Sequence, residues 1–214
     1  MFTGFKNIDL FLPHGLDGKH IVLAGHPRTG KTALALSMAI NIALDGYSVA
    51  YLSEDGKADA LRLWADNILF KEPLCSGSAE IKFYDYDDYK KIGAAGEAAA
   101  FIDGIKDLPL FLKREMENPC LFMSPSLTVF VSDIPVPDRL CKILVRDDLP
   151  PELDSFADVV LFLHNRNAII AKNDDGLVGI AALEYVEKYI FREYPEFGNC
   201  YIEKYRAFKD KNLI

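Results

Sequence analysis

None of the four cysteines, Cys75, Cys120, Cys141 and Cys200, stands in a CxxC pair. Zinc sites and dithiol redox centres are commonly built on that spacing, so neither is indicated. The thiols read as reduced and mostly buried in a cytoplasmic protein. The N-terminus lacks the long apolar run of a secretory leader, and no stretch approaches the ~18 apolar residues that a membrane span needs. There is no internal repeat and no low-complexity tract. Positive charge is also short: 24 Lys and Arg stand against 32 Asp and Glu, a formal net charge of −8. So acidic a monomer is a poor partner for DNA or RNA, because phosphate neutralisation dominates that affinity. A local basic patch, or a ring whose channel gathers a few Lys and Arg from each subunit, stays open.

What is present is an ordinary globular balance, with 50% hydrophobic and 26% charged residues over 214 positions. That suits one sizeable domain, 1–214, whose core needs no staples. After an irregular opening segment with turn signals at Pro13, Gly15 and Gly18, Ile21-Val22-Leu23-Ala24 reads as a buried strand. Residues 31–44 have helical spacing and stop at Asp45-Gly46, where Gly46 suits a C-terminal cap. A second strand at 48–53 and a second helix at 58–69 complete a β-α-β-α run, which implies a mostly parallel sheet flanked by helices.

The middle, about 71–150, is harder to read. Residues 83–89 are acidic and aromatic, a strand followed by a loop. The Ala-rich stretch 93–106 reads as helical and 108–112 as a strand. Residues 127–131 form a clearer strand ending at Ser132-Asp133, stopped by Pro135 and Pro137. Further strands are expected at 158–163, 168–172 and 201–204, and a helix at 181–194.

The chemistry lies in Gly25-His26-Pro27-Arg28-Thr29-Gly30-Lys31-Thr32. G-x-x-x-x-G-K-T is a specific spacing, and here it follows a strand and opens a helix, the context that confirms it. Gly25 and Gly30 let the backbone curl so that its N–H groups meet phosphate oxygens, and the helix N-terminus adds partial positive charge. Lys31 suits the β- and γ-phosphates, and Thr32 offers a hydroxyl to Mg²⁺. The expected ligands are therefore ATP or a close relative, with Mg²⁺. His26 either touches phosphate or merely fills the loop.

Hydrolysis also needs a carboxylate near the metal and a base for the attacking water. Asp133, at the end of an apolar strand, is the choice for the first; the alternative is an Asp that caps a Pro-containing turn. Glu54, at the C-terminal end of the second strand, is the choice for the base; the alternative is a solvated carboxylate beside Asp55 and Gly56. Trp64 and Leu61, at helical spacing, read as core rather than as a base-stacking platform.

These residues in this order resemble the RecA-like ATPase domain of DnaB-type replicative DNA helicases. Thr3-Gly4-Phe5 with Ile8-Asp9, the strand into the phosphate loop, and Gly30-Lys31-Thr32-Ala33-Leu34-Ala35-Leu36 carry the likeness. Leu52-Ser53-Glu54 is similar to the turn holding that family's catalytic Glu, which implies Glu54 as base, and Asp133 would match its magnesium Asp. Tyr201-Ile202-Glu203-Lys204-Tyr205-Arg206 is similar to the strand whose Lys-x-Arg pair acts in trans on a neighbour's γ-phosphate, which implies catalytic roles for Lys204 and Arg206 in a ring or filament. The first seventy residues match well, the last sixty moderately and the middle barely. The family's helicases have a further N-terminal domain ahead of this point. The middle is compressed and acidic where DNA-binding loops should lie, and the family's nucleotide-sensing Gln is missing after Ile143-Leu144-Val145.

Two readings follow. One is an ATPase related to replicative helicases, linked to DNA replication or recombination and acting on single-stranded DNA. The other is a degenerate nucleotide-binding module that engages a helicase or another replication protein without unwinding. A small-molecule kinase ranks behind both, since Arg146 and Arg166 are scattered and form no Arg-rich lid.

Overall fold

The computed structural model describes residues 1–71, 80–85, 96–117, 125–135, 149, 151–165, 167–174, 177–187 and 190–193. A parallel sheet forms its centre. Strand β1 (Lys19–Ala24) leads through the phosphate loop into helix α2 (Lys31–Leu44), preceded by the short helix α1 (Lys6–Asp9). Then come β2 (Val49–Ser53), α3 (Ala58–Lys71), β3 (Ile81–Asp85), β4 (Ala99–Ile105), α4 (Leu108–Glu117), β5 (Leu127–Ser132), α5 (Pro151–Phe156) and β6 (Val159–His164). An antiparallel extension follows, made of β7 (Asn167–Asn173), β8 (Gly179–Glu187) and β9 (Ile190–Glu193). The spatial order is β3-β2-β4-β5-β1-β6-β7-β8-β9, with β3 through β6 parallel.

The central strands are apolar on both faces because both faces are covered. Ile21 and Leu23 of β1 join Tyr51, Val129 and Leu161 beneath α2 and α3. Val22 and Ala24 join Leu52, Phe130 and Phe162 beneath α4 and α5. Helix α2 is apolar almost all round since the opening segment covers what the sheet does not: Phe5, Ile8, Phe11, Leu12 and Leu16 are buried in the same cluster. Asp9 fixes that segment by accepting from the N–H and hydroxyl of Thr3 (2.9 and 2.7 Å) and from the Gly4 N–H. Asn41 of α2 donates to the Thr3 carbonyl at 3.0 Å.

Three expectations are corrected. Within 93–106 the described chain is strand β4 rather than helix. Ala99 and Ala100 are good helix formers, but the preference amounts to only about 0.5 kcal/mol per residue. Burial between β2 and β5 outweighs it, and small side chains fit there. Residues 108–112 open helix α4 instead of forming a strand: the Asp107 carboxylate accepts the Leu110 N–H at 3.0 Å, Pro109 suits the first turn, and Leu108, Phe111 and Leu112 bury at helical spacing. The helix expected over 181–194 is the β8–β9 hairpin, β8 pairing with β7 through Ala182, Ala181, Ile180 and Gly179. The strand expected at 201–204 and all four cysteines lie outside the described residues.

Candidate functional site

The C-terminal ends of the parallel strands face one cleft of about 560 Å³, the edge where open parallel sheets hold their ligands. The phosphate loop forms one wall. Gly25 leaves β1 at φ 149°, and a Cβ there would stand 2.6 Å from the Leu163 carbonyl oxygen, so a side chain is excluded. Pro27, Arg28, Gly30, Lys31 and Thr32 line the cleft. Arg28 adopts φ 66°, unusual for a residue with a Cβ and a mark of the tight curl. The loop is braced on one carbonyl: His26 O accepts from the Thr29 hydroxyl at 2.9 Å and the Lys31 ammonium at 2.8 Å. His26 thus contributes its backbone, while its ring is exposed. Helix α2 begins at Gly30 without a side-chain cap, which leaves first-turn N–H groups for an anion.

Lys31 is buried, and its ammonium also pairs with Asp133 Oδ1 at 2.9 Å. Asp133, expected beside the metal, is therefore engaged with the phosphate-binding lysine. The carboxylate on the Thr32 hydroxyl belongs to Asp103: Thr32 Oγ1 donates to Asp103 Oδ1 at 3.3 Å, and the Tyr51 hydroxyl donates to Asp103 Oδ2 at 3.0 Å. Burial raises the Asp103 carboxyl above its ordinary range, against the hydrogen bonds from Thr32, Tyr51 and the Gly104 N–H. Tyr51 is fully buried, stacked on Phe101 with centroids 5.7 Å apart. Burial and the neighbouring carboxylate push its phenol well above the usual range, so it stays a donor.

Sequence reasoning missed Asp103. The signal was the apolar run Ala98 to Ile102 ending in an Asp, but its alanines read as helix. Strand β4 places Asp103 beside β2, and a bulge after Ile102 aims it toward α2.

Glu54 continues the ladder by donating its N–H to the Asp103 carbonyl at 2.8 Å. Its side chain is absent from the cleft wall, where Ser53 and Asp55 stand. The Glu54 carboxylate is raised by burial, against a hydrogen bond from the Lys106 N–H and the charges of Lys106 and Arg114. The opposite wall is a face of α3, with Lys57, Ala60, Leu61 and Trp64. Trp64 is half-buried, packed against the core as well as facing the cleft. Lys204 and Arg206 lie outside the described residues, as do Tyr86, Tyr89, Arg146 and Arg166.

Among the described residues, no group of three or more His, Cys, Asp or Glu is placed to hold a metal by itself. None of the helices there is long and apolar enough to cross a membrane.

No protein-family model and no curated protein matches the chain. Solved structures do. The ATPase domain of a DnaB helicase matches with a TM-score of 0.63 at 17% identity, over 90% of both chains. A KaiC-like protein of Pyrococcus horikoshii matches with a TM-score of 0.63 at 17% identity, over 91% of this chain and 98% of that one. A RadB recombinase matches with a TM-score of 0.57 at 17% identity, over 90% and 98%. The fold is thus that of RecA-like P-loop ATPases.

Proposed function

We propose that the chain is a Mg²⁺-dependent ATPase. The observation that carries this reading is the contact between the phosphate-loop hydroxyl of Thr32 and the buried carboxylate of Asp103. Two hard oxygen donors converge there beside the lysine of the loop. Mg²⁺ in nucleotide sites takes one or two protein oxygens and leaves its other positions to phosphates and water, so this donor set fits. When bound, the ion neutralises charge on the phosphates. Thr32 and Asp103 would hold it, and Asp133 would not.

The chain's own residues do the rest. The loop and the uncapped start of α2 receive the phosphates. Lys31 exchanges the Asp133 carboxylate and the His26 carbonyl for phosphate oxygens, a fixed positive charge where negative charge develops. A carboxylate from the turn after β2 orients the attacking water.

The finer reading is a motor-type ATPase related to replicative helicases and recombinases, acting on single-stranded DNA as a ring or filament, with Lys204 and Arg206 acting on a neighbour's nucleotide. The sequence resemblance supports it. The degenerate-module reading, with a helicase or other replication protein as partner, draws on the pairing of Asp133 with Lys31, which leaves the lysine occupied in the ligand-free state.

The test is steady-state phosphate release with Mg²⁺ and ATP, with and without single-stranded DNA, beside Lys31→Ala. Turnover that is stimulated by DNA and lost in the variant supports the motor reading. Binding without turnover under both conditions supports the module reading. Turnover equal in wild type and variant would remove the loop from the mechanism.

A further inference from the structure

Strand β2 assigns its side chains alternately to the two faces of the sheet. Val49 and Tyr51 lie beneath α2 and α3, and Ala50 and Leu52 beneath α4. The turn that follows keeps this phase. Ser53 and Asp55 line the cleft, on the side of the phosphate loop. Glu54 falls on the other side, where the Lys106 N–H donates to its carboxylate and Arg114 of α4 adds its charge. One Glu54 oxygen, Oε2, is buried without a hydrogen-bond partner.

Asp55 is held in place from two directions. Lys57 pairs with its Oδ2. Its Oδ1 lies over Gly104, where any Cβ would collide with the carboxylate. Gly104 has φ 86°, and it sits in the irregularity of β4 between Ile102 and Ile105. The same bulge turns Asp103 toward Thr32 and clears a space above the strand for Asp55. Asp55 is 35% exposed, open enough to meet a water molecule.

We infer that Asp55, not Glu54, is the carboxylate that orients the attacking water in this cleft. The inference rests on the ATPase reading and names its base. The water oxygen forms a bond to the terminal phosphorus as the bond from that phosphorus to the bridging oxygen breaks. The departing diphosphate keeps the electron pair. The water proton passes to Asp55 and leaves with product into solvent. Lys57 is a positioning residue that fixes one Asp55 oxygen and leaves the other for water. Glu54 is a positioning residue too, tying the ends of β2 and β4 to the turn before α4.

The test compares Asp55→Asn and Glu54→Gln with the wild type by phosphate release, by binding of a fluorescent ATP analogue with Mg²⁺, and by melting temperature as a folding control. Asp55→Asn is expected to cut turnover by on the order of a hundredfold or more, with the dissociation constant unchanged or lower. Glu54→Gln is expected to keep turnover within about tenfold of wild type, a loss below that range for a general base. Loss confined to Glu54→Gln, or equal loss in both variants, would overturn the assignment while leaving the ATPase reading intact. A wild type that binds the analogue yet never releases phosphate would overturn both.

Discussion

Asp103 carries the conflict between stability and function in this protein. Its carboxylate is 5% exposed, and burial raises it above its ordinary value of 3.8. The folded chain therefore holds this proton more tightly than the unfolded chain does. The cost of burying the charge is absent below the unfolded value and present in full above the folded one. At neutral pH, Asp103→Asn is expected to raise the melting temperature of the ligand-free protein and to abolish Mg²⁺-dependent turnover. The stabilisation should shrink as the pH falls toward 3.8. Differential scanning measurements across that range check it, and a variant less stable than wild type at neutral pH would contradict the linkage. Asp133→Asn is expected to show neither effect, because that carboxylate is half exposed and faces Lys31.

Among the elements, β5 is the keystone between the phosphate-loop strand and the strand bearing Asp103. Phe130, fully buried at its centre, meets Phe111 of α4 edge-on at 6.1 Å and Phe156 beside β6 at 5.2 Å. Phe130→Ala leaves a cavity between two helices and the sheet and is expected to cost about 3–5 kcal/mol. Urea unfolding would register it, and a cost below about 1 kcal/mol would mean that the helices collapse into the gap. These elements were unequally legible. β1, the loop and α2 were read correctly because each has a local signature: an apolar run, a glycine spacing and a helical period. β4 and α4 were exchanged in kind, since Ala99-Ala100 and Leu108-Pro109-Leu110 are short apolar stretches whose periodicity fits either state. Pairing with β2 and β5 decided the first, and the Asp107 cap the second.

At the scale of the whole molecule, the acidic balance and the shape of the site both point to assembly. A 24.0 kDa monomer with a net charge of −8 repels nucleic acid overall, so a DNA-bound form needs basic groups gathered from several copies. The resemblance supplies Lys204 and Arg206 as such groups, acting across the subunit boundary. Arg206→Ala is expected to lower turnover on the order of 10³-fold with nucleotide binding retained. Mixing it with Lys31→Ala, itself inactive, is expected to restore part of the activity: one subunit then supplies the intact nucleotide site and the other the intact Arg206. An inactive mixture would place Arg206 in its own subunit's site or outside catalysis.

The sequence by itself determined the phosphate loop, the strand and helix that flank it, the β-α-β-α opening and the RecA-like architecture, because these depend on local spacing and on residues close together in the chain. Which carboxylates meet the loop was decided by tertiary structure alone. Asp103 reaches Thr32 across 71 positions only because β4 inserts between β2 and β5. The choice between Glu54 and Asp55 depends on the phase of β2, and that phase is invisible in Val49-Ala50-Tyr51-Leu52: a strand buried on both faces is apolar at every position. Only the packing of helices on each side of the sheet gives the two faces different chemistry.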